Sequence, residues 1–301
     1  MLVIVMVIWG LNVVAVKYLV EHFPPVAMQG GRIFIAGVVA ITVLYFLKDL
    51  RKLVPKEWGL ILIAAVFGQL GHHALLAVGL VETTASNASL ILGLIPITTA
   101  ILAMIIFKDR LTFLRIIGIL LGFSGVAIVV LQNGTGIGII SRGDVFVFVS
   151  MVSQAISFIV IKQLTVTVSS KQLTAVMLLV GSFLLLSMSF YLEPQARTGF
   201  SDAAGIVWSV FFLSAIFATG LGHILYNSAI QEIGPGQTAI FNNLVPFFAL
   251  VGSFIFLGET ILFTQIIGFI LIVMGVLFGT GYVEVKWYEK RKRKALHKES
   301  A

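Results

Sequence analysis

The 301-residue chain contains no cysteine. That excludes disulfides, thiolate metal sites and a cysteine nucleophile. Charge is scarce too: Asp, Glu, Lys and Arg make up 11% of the residues, where soluble domains carry about 25%. With 59% hydrophobic residues, the chain has more apolar surface than one globule can bury, so it reads as an integral membrane protein. The 13 acidic residues all fall at or near the ends of apolar runs, and no carboxylate occupies the centre of one. Proton-coupled pumps often place a carboxylate there, because intramembrane ionisable groups mark proton relays. Here a histidine or a boundary carboxylate has to carry any proton; otherwise the protein is a uniporter or exchanger. The first apolar run lacks a basic leader and a clean small-residue cleavage site, so it is expected to be a retained helix and not a signal peptide. Neither a metal nor a cofactor is expected.

What the chain does have is long apolar runs. Ten reach the ~20 residues that a bilayer crossing needs: 2–20, 26–47, 58–80, 84–107, 112–131, 144–163, 171–192, 205–229, 236–257 and 261–282. Runs of this length cross lipid as helices. The expected fold is an all-α membrane protein with ten transmembrane helices and short loops. An even number of spans puts both termini on one side. Lys48, Arg51, Lys52, Lys56, Lys108, Arg110, Arg115, Lys162 and Lys171 share that side with the basic tail KWYEKRKRKALHKES, while Lys17, Arg32, Arg142 and Arg197 fall on the other. Basic loops mark the cytoplasm, so both termini are expected there, with the protein in the cell (inner) membrane. The tail, 283–301, is expected to hold anionic lipid; nucleic-acid binding is the weaker reading of the same charge.

The chain also repeats itself. Shifted by 150 residues, 72–126 falls on 222–276 without a gap: His73 on His223, Glu82 on Glu232, Leu94 on Leu244, Pro96 on Pro246, Gly118 on Gly268 and Gly125 on Gly275. Shared register across a proline, two glycines and a histidine marks a duplication. Each half, 1–131 and 144–282, then holds five spans. Five is odd, so the second half enters the membrane from the opposite side. Inverted-topology repeats are a layout of secondary transporters, with substrate near the midplane between the halves.

WGLNVVAVKYLVEHFPP (9–25) followed by GRIFIAGVVAI (31–41) resembles the opening of EamA-type transporters of the drug/metabolite transporter superfamily. FKDRLTFLRIIGILLGFSGVAIVV (107–130) and LGETILFTQIIGFILIVMGVLFG (257–279) resemble that family's repeat ending, once per half. The resemblance implies ten helices, alternating access around a central cavity, and a metabolite, amino-acid or drug-like small molecule as substrate, usually exported. Asn12, Lys17 and Arg32 fit its opening pattern. The second half departs from it, since MVSQAISFIVIKQ (151–163) has no tryptophan where Trp9 stands.

Polar residues inside the apolar runs are the candidate substrate contacts. Gln69, His72 and His73, at i, i+3 and i+4, share one helical face; His223, Tyr226 and Asn227 repeat the spacing. Both faces should turn from lipid, and they serve either substrate or interhelical hydrogen bonds. His73 has a repeat mate and His72 has none, so His72 is the better candidate for asymmetry between the half-sites. Asn87, Asn242 and Asn243 should face inward as well. Trp9, Asn12 and Gln154 lie on the first helix of their halves, where Trp9 either stacks on substrate or packs in a core. Pro96 and Pro246 are candidate hinges or static kinks. Arg32 is expected chiefly to snorkel to the outer headgroups; anchoring an anion in the cavity is its second reading. Gly118-xxx-Gly122 and Gly275-xxx-Gly279 are expected to be close helix contacts. Two rival readings stand beside a transporter. A passive channel or scaffold is disfavoured because the sequence lacks rings of filter residues. An intramembrane serine protease would need Ser124 as nucleophile and His223 as base, and the duplication does not call for one.

Overall fold

The computed structural model describes residues 1–107, 112–131, 141–197, 199–201, 203–233 and 241–287. Among these residues the secondary structure is helical, with no strand. Eight helices are long and apolar enough to cross a membrane: α1 (Leu2–Val20), α2 (Pro25–Phe46), α3 (Pro55–Glu82), α4 (Ala85–Ile106), α5 (Phe113–Leu131), α6 (Arg142–Leu164), α7 (Ser170–Leu192) and α8 (Gly205–Tyr226). Two apolar helices are shorter, α9 (Leu244–Leu257) and α10 (Phe263–Gly279). The expected ninth run begins at residue 236, and 236–240 lie outside the described residues, as do 288–301 of the basic tail.

The helix ends follow from local chemistry. Pro25 and Pro55 open α2 and α3 at the position where a missing N–H costs nothing. Side chains of Thr84, Ser141 and Ser169 cap α4, α6 and α7 by accepting a backbone N–H. Gly258 ends α9 with φ 67°, a left-handed turn that favours glycine. The outside of the bundle is apolar, with Ile4, Tyr45, Phe46, Ile105, Leu120, Phe183 and Phe254 exposed. A helix surface of this kind suits lipid and not water.

Two departures from regular helix recur in both halves. α3 contains a π-helical turn, Val66–Gly71, and α8 contains another, Ser214–Leu221; a shift of 150 residues overlays them. α4 breaks at Gly93–Leu94, just before Pro96, and a turn at Asn242–Asn243 precedes Pro246 in the same way. The continuous fourth helix expected over 84–107 is therefore two segments, because each proline withholds an N–H and crowds the carbonyl one turn upstream.

The packing exchanges under the repeat. α1 packs on α9 as α6 packs on α4, and α8 packs on α1 as α3 packs on α6; α2 meets α7 and α5 meets α10. At the α5–α10 seam a Cβ on Gly118 would fall 2.7 Å from the Gly275 carbonyl oxygen, and one on Gly125 would fall 2.8 Å from that of Gly268. Swapping the halves turns one contact into the other, and the glycine spacings seen in the sequence are these contacts. Leu80, Leu90, Ile91, Leu94 and Ile97 are fully buried in the largest core cluster, so α4 runs through its middle.

Candidate functional site

A cavity of about 150 Å³ lies among α1, α2, α3, α4, α6, α8 and the start of α9. Trp9, Asn12, Val13, Arg32, Gln69, His72, His73, Leu76, Ser89, Leu92, Gly93, Ile95, Pro96, Gln154, Phe158, His223, Asn242, Val245 and Pro246 line it. Both halves contribute, and α5, α7 and α10 do not. The breaks of α4 and α9 and the segments just beyond both π turns all border it. π turns are frequent at functional sites because they re-aim the side chains that follow.

Among the described residues Arg32 is the only lysine or arginine in the lining. Its side chain is 1% exposed, so it does not snorkel to the headgroups. The guanidinium is held inside instead, by neutral partners. Nε and Nη2 donate to Gln29 Oε1 at 3.1 and 2.6 Å, and Nη1 donates to Asn12 Oδ1 at 2.9 Å and to Ser214 Oγ at 2.7 Å. Ser214 Oγ in turn donates to Asn12 Oδ1 at 2.5 Å. Among the described residues no carboxylate forms an ion pair with Arg32, and none lines the cavity.

Trp9 forms an adjoining wall. Its indole N–H donates to the Ala218 carbonyl in the α8 π turn at 2.9 Å, and its ring lies 5.0 Å from His223 and 4.8 Å from Tyr226. The approach is close: a Cβ on Gly222 would meet Trp9 Nε1 at 2.8 Å. In the other half α6 bonds to α3 in the same way, Ser153 Oγ to the Phe67 carbonyl in the π turn at 2.8 Å and Ser157 Oγ to the Ala64 carbonyl just before it at 2.9 Å.

The three histidines differ in how they are held. His223 Nδ1 donates to the Thr219 carbonyl at 2.8 Å. His72 Nδ1 is 2.8 Å from Ser150 Oγ, whose own proton goes to the His72 carbonyl. His73 Nδ1 is buried with no hydrogen-bond partner among the described residues, and so are Gln69 Oε1 and Asn242 Oδ1. All of these residues line the cavity. An unpartnered polar group out of water costs roughly 1–3 kcal/mol, so this wall retains unmet hydrogen-bonding capacity.

Of the other candidates, Gln154, Pro96 and Pro246 line the cavity. Tyr226 stands behind Trp9 and is not in the lining; its hydroxyl accepts from Asn242 Nδ2 at 2.9 Å. Asn243 is buried outside the lining, and both of its side-chain polar atoms lack partners among the described residues. Asn87 lies elsewhere: its Oδ1 accepts from Gln265 Nε2 at 2.8 Å, and it borders a second cavity of about 810 Å³ with Lys17, Glu82, Glu259 and Gln265. The side chain of Asn227 lies outside the described residues. Ser124 is exposed and donates to the Leu121 carbonyl at 2.9 Å; it is not in the cavity that His223 lines.

Sequence reasoning passed over Gln29, Ser214 and Ser150. For Ser150 a signal was present. Ser150, Ser153, Gln154 and Ser157 stand at i, i+3, i+4 and i+7, the one-face spacing already used for Gln69, His72 and His73. Gln29 stands three residues before Arg32 on α2, a spacing that puts both on one helical face, whereas only the fold brings Ser214 to Arg32.

The model of the EamA-like transporter family matches residues 1–131 and, a second time, residues 141–280. The chain belongs to that family. It is similar to the Bacillus subtilis uncharacterized transporter YyaM, 30% identical over 93% of this chain and 92% of the relative. It is also similar to the Bacillus subtilis uncharacterized transporter YvbV, 27% identical over 92% and 89%. A third relative, the Salmonella typhimurium probable amino-acid metabolite efflux pump, is 26% identical over 96% and 95%. A solved crystal structure of 16% identity superposes with a TM-score of 0.67 over 93% of this chain and 95% of its own, which shows the shared fold. As an EamA-like transporter, the chain is a multi-pass membrane protein. Its cavity lies where the two family repeats meet.

Carboxylates lace one end of this EamA-like bundle. Glu193, after α7, accepts the Val26 and Ala27 N–H groups at 2.9 and 2.8 Å, and Glu259, after α9, accepts those of Ala85 and Ser86 at 2.8 and 3.0 Å. Each caps a helix start from the other half. Asp144 accepts the Thr83 hydroxyl. Phe23, Phe200, Trp208 and Phe211 pack ring on ring at the same end.

Proposed function

We propose that this protein is a secondary transporter that exports small organic metabolites by alternating access. Ten crossings form two inverted five-helix repeats, both termini are cytoplasmic in the cell membrane, and the basic tail rests on anionic lipid. The observation that carries the reading is the polar cavity between the halves, lined by Trp9, Arg32, His72, His73, His223 and Asn242, with matching helix breaks on either side. A cavity of about 150 Å³ is the size that holds one benzene-like molecule. The name of the Salmonella relative, a probable amino-acid metabolite efflux pump, supports export and a small metabolite as cargo. The laced end is the non-cytoplasmic one in this orientation, so opening and closing there is the work of Glu193, Glu259 and the aromatic cluster.

Proteoliposome flux tests this reading against a panel of amino acids and metabolites, with and without a pH gradient. A carrier gives saturable flux, competition between substrates and counterflow. Flux that rises linearly with concentration and shows no counterflow would make it a passive channel instead.

A further inference from the structure

We propose that the cavity selects an organic anion, a small apolar body with one carboxylate, and that Arg32 is the group that selects it. The proposal rests on the carrier reading for its transport consequences.

A guanidinium is always charged in a protein and has five N–H donors. Four are engaged by Gln29, Asn12 and Ser214, all neutral, which leaves one Nη2 N–H. The side chain is 1% exposed. A buried cation of this kind is costly unless it is paired, and no carboxylate pairs with it among the described residues. The lining therefore carries one positive charge and no negative one. An occupant with a single negative charge neutralises it. A zwitterion leaves the site charged, and an amine cation doubles the charge.

The remaining contacts suit the same occupant. Leu76, Leu92, Ile95, Phe158 and Val245 supply an apolar wall. His73 Nδ1 has no partner among the described residues and, when it carries the proton, can donate to the second carboxylate oxygen, while Gln69 Oε1, an acceptor, suits a hydroxyl on the ring. No lining group is an acid that would hold an ammonium. The volume, about 150 Å³, is enough for one ring.

Three probes of nearly one size and different charge test this, benzoate, benzamide and benzylamine, with the larger zwitterion phenylalanine beside them. Scintillation-proximity binding to the purified full-length protein in detergent reads each one at neutral pH. Benzoate is expected to bind best, and Arg32→Gln to weaken it about ten- to a hundredfold while benzamide changes little. Arg32→Lys keeps the charge and loses the fork, and is expected to keep the preference for benzoate with lower affinity. Ser124→Ala, on the exposed face, serves as the unchanged control. Charge selectivity in the wild type decides the matter even where Arg32→Gln fails to fold. Failure of benzoate to bind, or equal binding of benzamide or benzylamine, overturns the proposal and makes Arg32 a tie between helices. Anion-selective binding without saturable flux in proteoliposomes would keep the anion site and remove the carrier reading. Counterflow of the neutral or cationic probe would do the reverse.

Discussion

Arg32 Nη1 lies 2.7 Å from Ser214 Oγ, so a side chain of the first half is hydrogen-bonded to the π turn of the second. Both residues are buried. Removing the hydroxyl leaves a buried guanidinium N–H without a partner, and a bond to a charged group contributes about 1.5–3 kcal/mol. Ser214→Ala is therefore expected to lower the melting temperature in detergent by several degrees, while Ser209→Ala, whose hydroxyl only meets its own helix at Gly205, is expected to leave it in place.

Trp9 makes two kinds of contact that substitutions separate. Trp9→Phe keeps a ring against His223 and Tyr226 but removes the bond to Ala218. A neutral hydrogen bond is worth about 0.5–1.5 kcal/mol, so transport is expected to fall by up to about tenfold. Trp9→Ala removes the wall as well and is expected to fall further. Initial rates at several substrate concentrations, normalised to membrane abundance, distinguish the two. Equal rates for the wild type and Trp9→Ala would remove Trp9 from the site.

His223→Ala and Tyr226→Ala are both expected to lower transport without lowering membrane abundance, for different reasons. His223 is in the lining. Tyr226 acts through Trp9 and Asn242, so Tyr226→Phe, which keeps the ring and strands Asn242 Nδ2, is expected to give the milder loss. Normal transport by both alanine variants would show that the cavity is assigned wrongly.

Much of this was legible in the sequence, because lipid makes the hydrophobic pattern strict. The apolar runs mark eight helices to within a few residues, and the glycine spacings mark close helix contacts, which the structure places at the α5–α10 seam, where Gly118 meets Gly275 and Gly125 meets Gly268. Histidine spacing found the α3 face. Arg32 was read toward the headgroups because a sequence gives its distance from a helix end but not the neighbours that satisfy it; Gln29, Asn12 and Ser214 come from three helices. Asn87 was read inward, which it is, but toward the other cavity. Depth along α4 could not be judged without knowing that the helix breaks at Gly93. The π turns left no readable mark, since runs this apolar have too few polar residues to show a one-residue shift of phase.

The α5–α10 seam should be intolerant of any side chain. A Cβ on Gly118 would collide with the Gly279 backbone nitrogen, and backbone cannot move aside as a flexible side chain can. Gly118→Ala is expected to reduce membrane abundance sharply, whereas Gly59→Ala, where a Cβ meets nothing within 4 Å, is expected to be neutral. Quantitative blotting of membranes compares them.

Loss of the Glu259 carboxylate frees the Ala85 and Ser86 N–H groups and is expected to favour opening at that end. The chain has no cysteine of its own, so a single Ser89→Cys in the cavity wall reports access without background. Glu259→Ala in that background is expected to speed maleimide labelling from the α2-start side severalfold. Unchanged labelling would mean that the lacing does not hold this end shut.

Each π turn carries one residue more than an α-helix needs over the same rise. Were such a turn to relax to α, the helix beyond it would rotate by about 100° without breaking its hydrogen-bonded ladder. Beyond Gly71 the next residues are His72 and His73, and beyond Leu221 they are Gly222 and His223. A single register step in the backbone is thus geared directly to the direction in which each imidazole points.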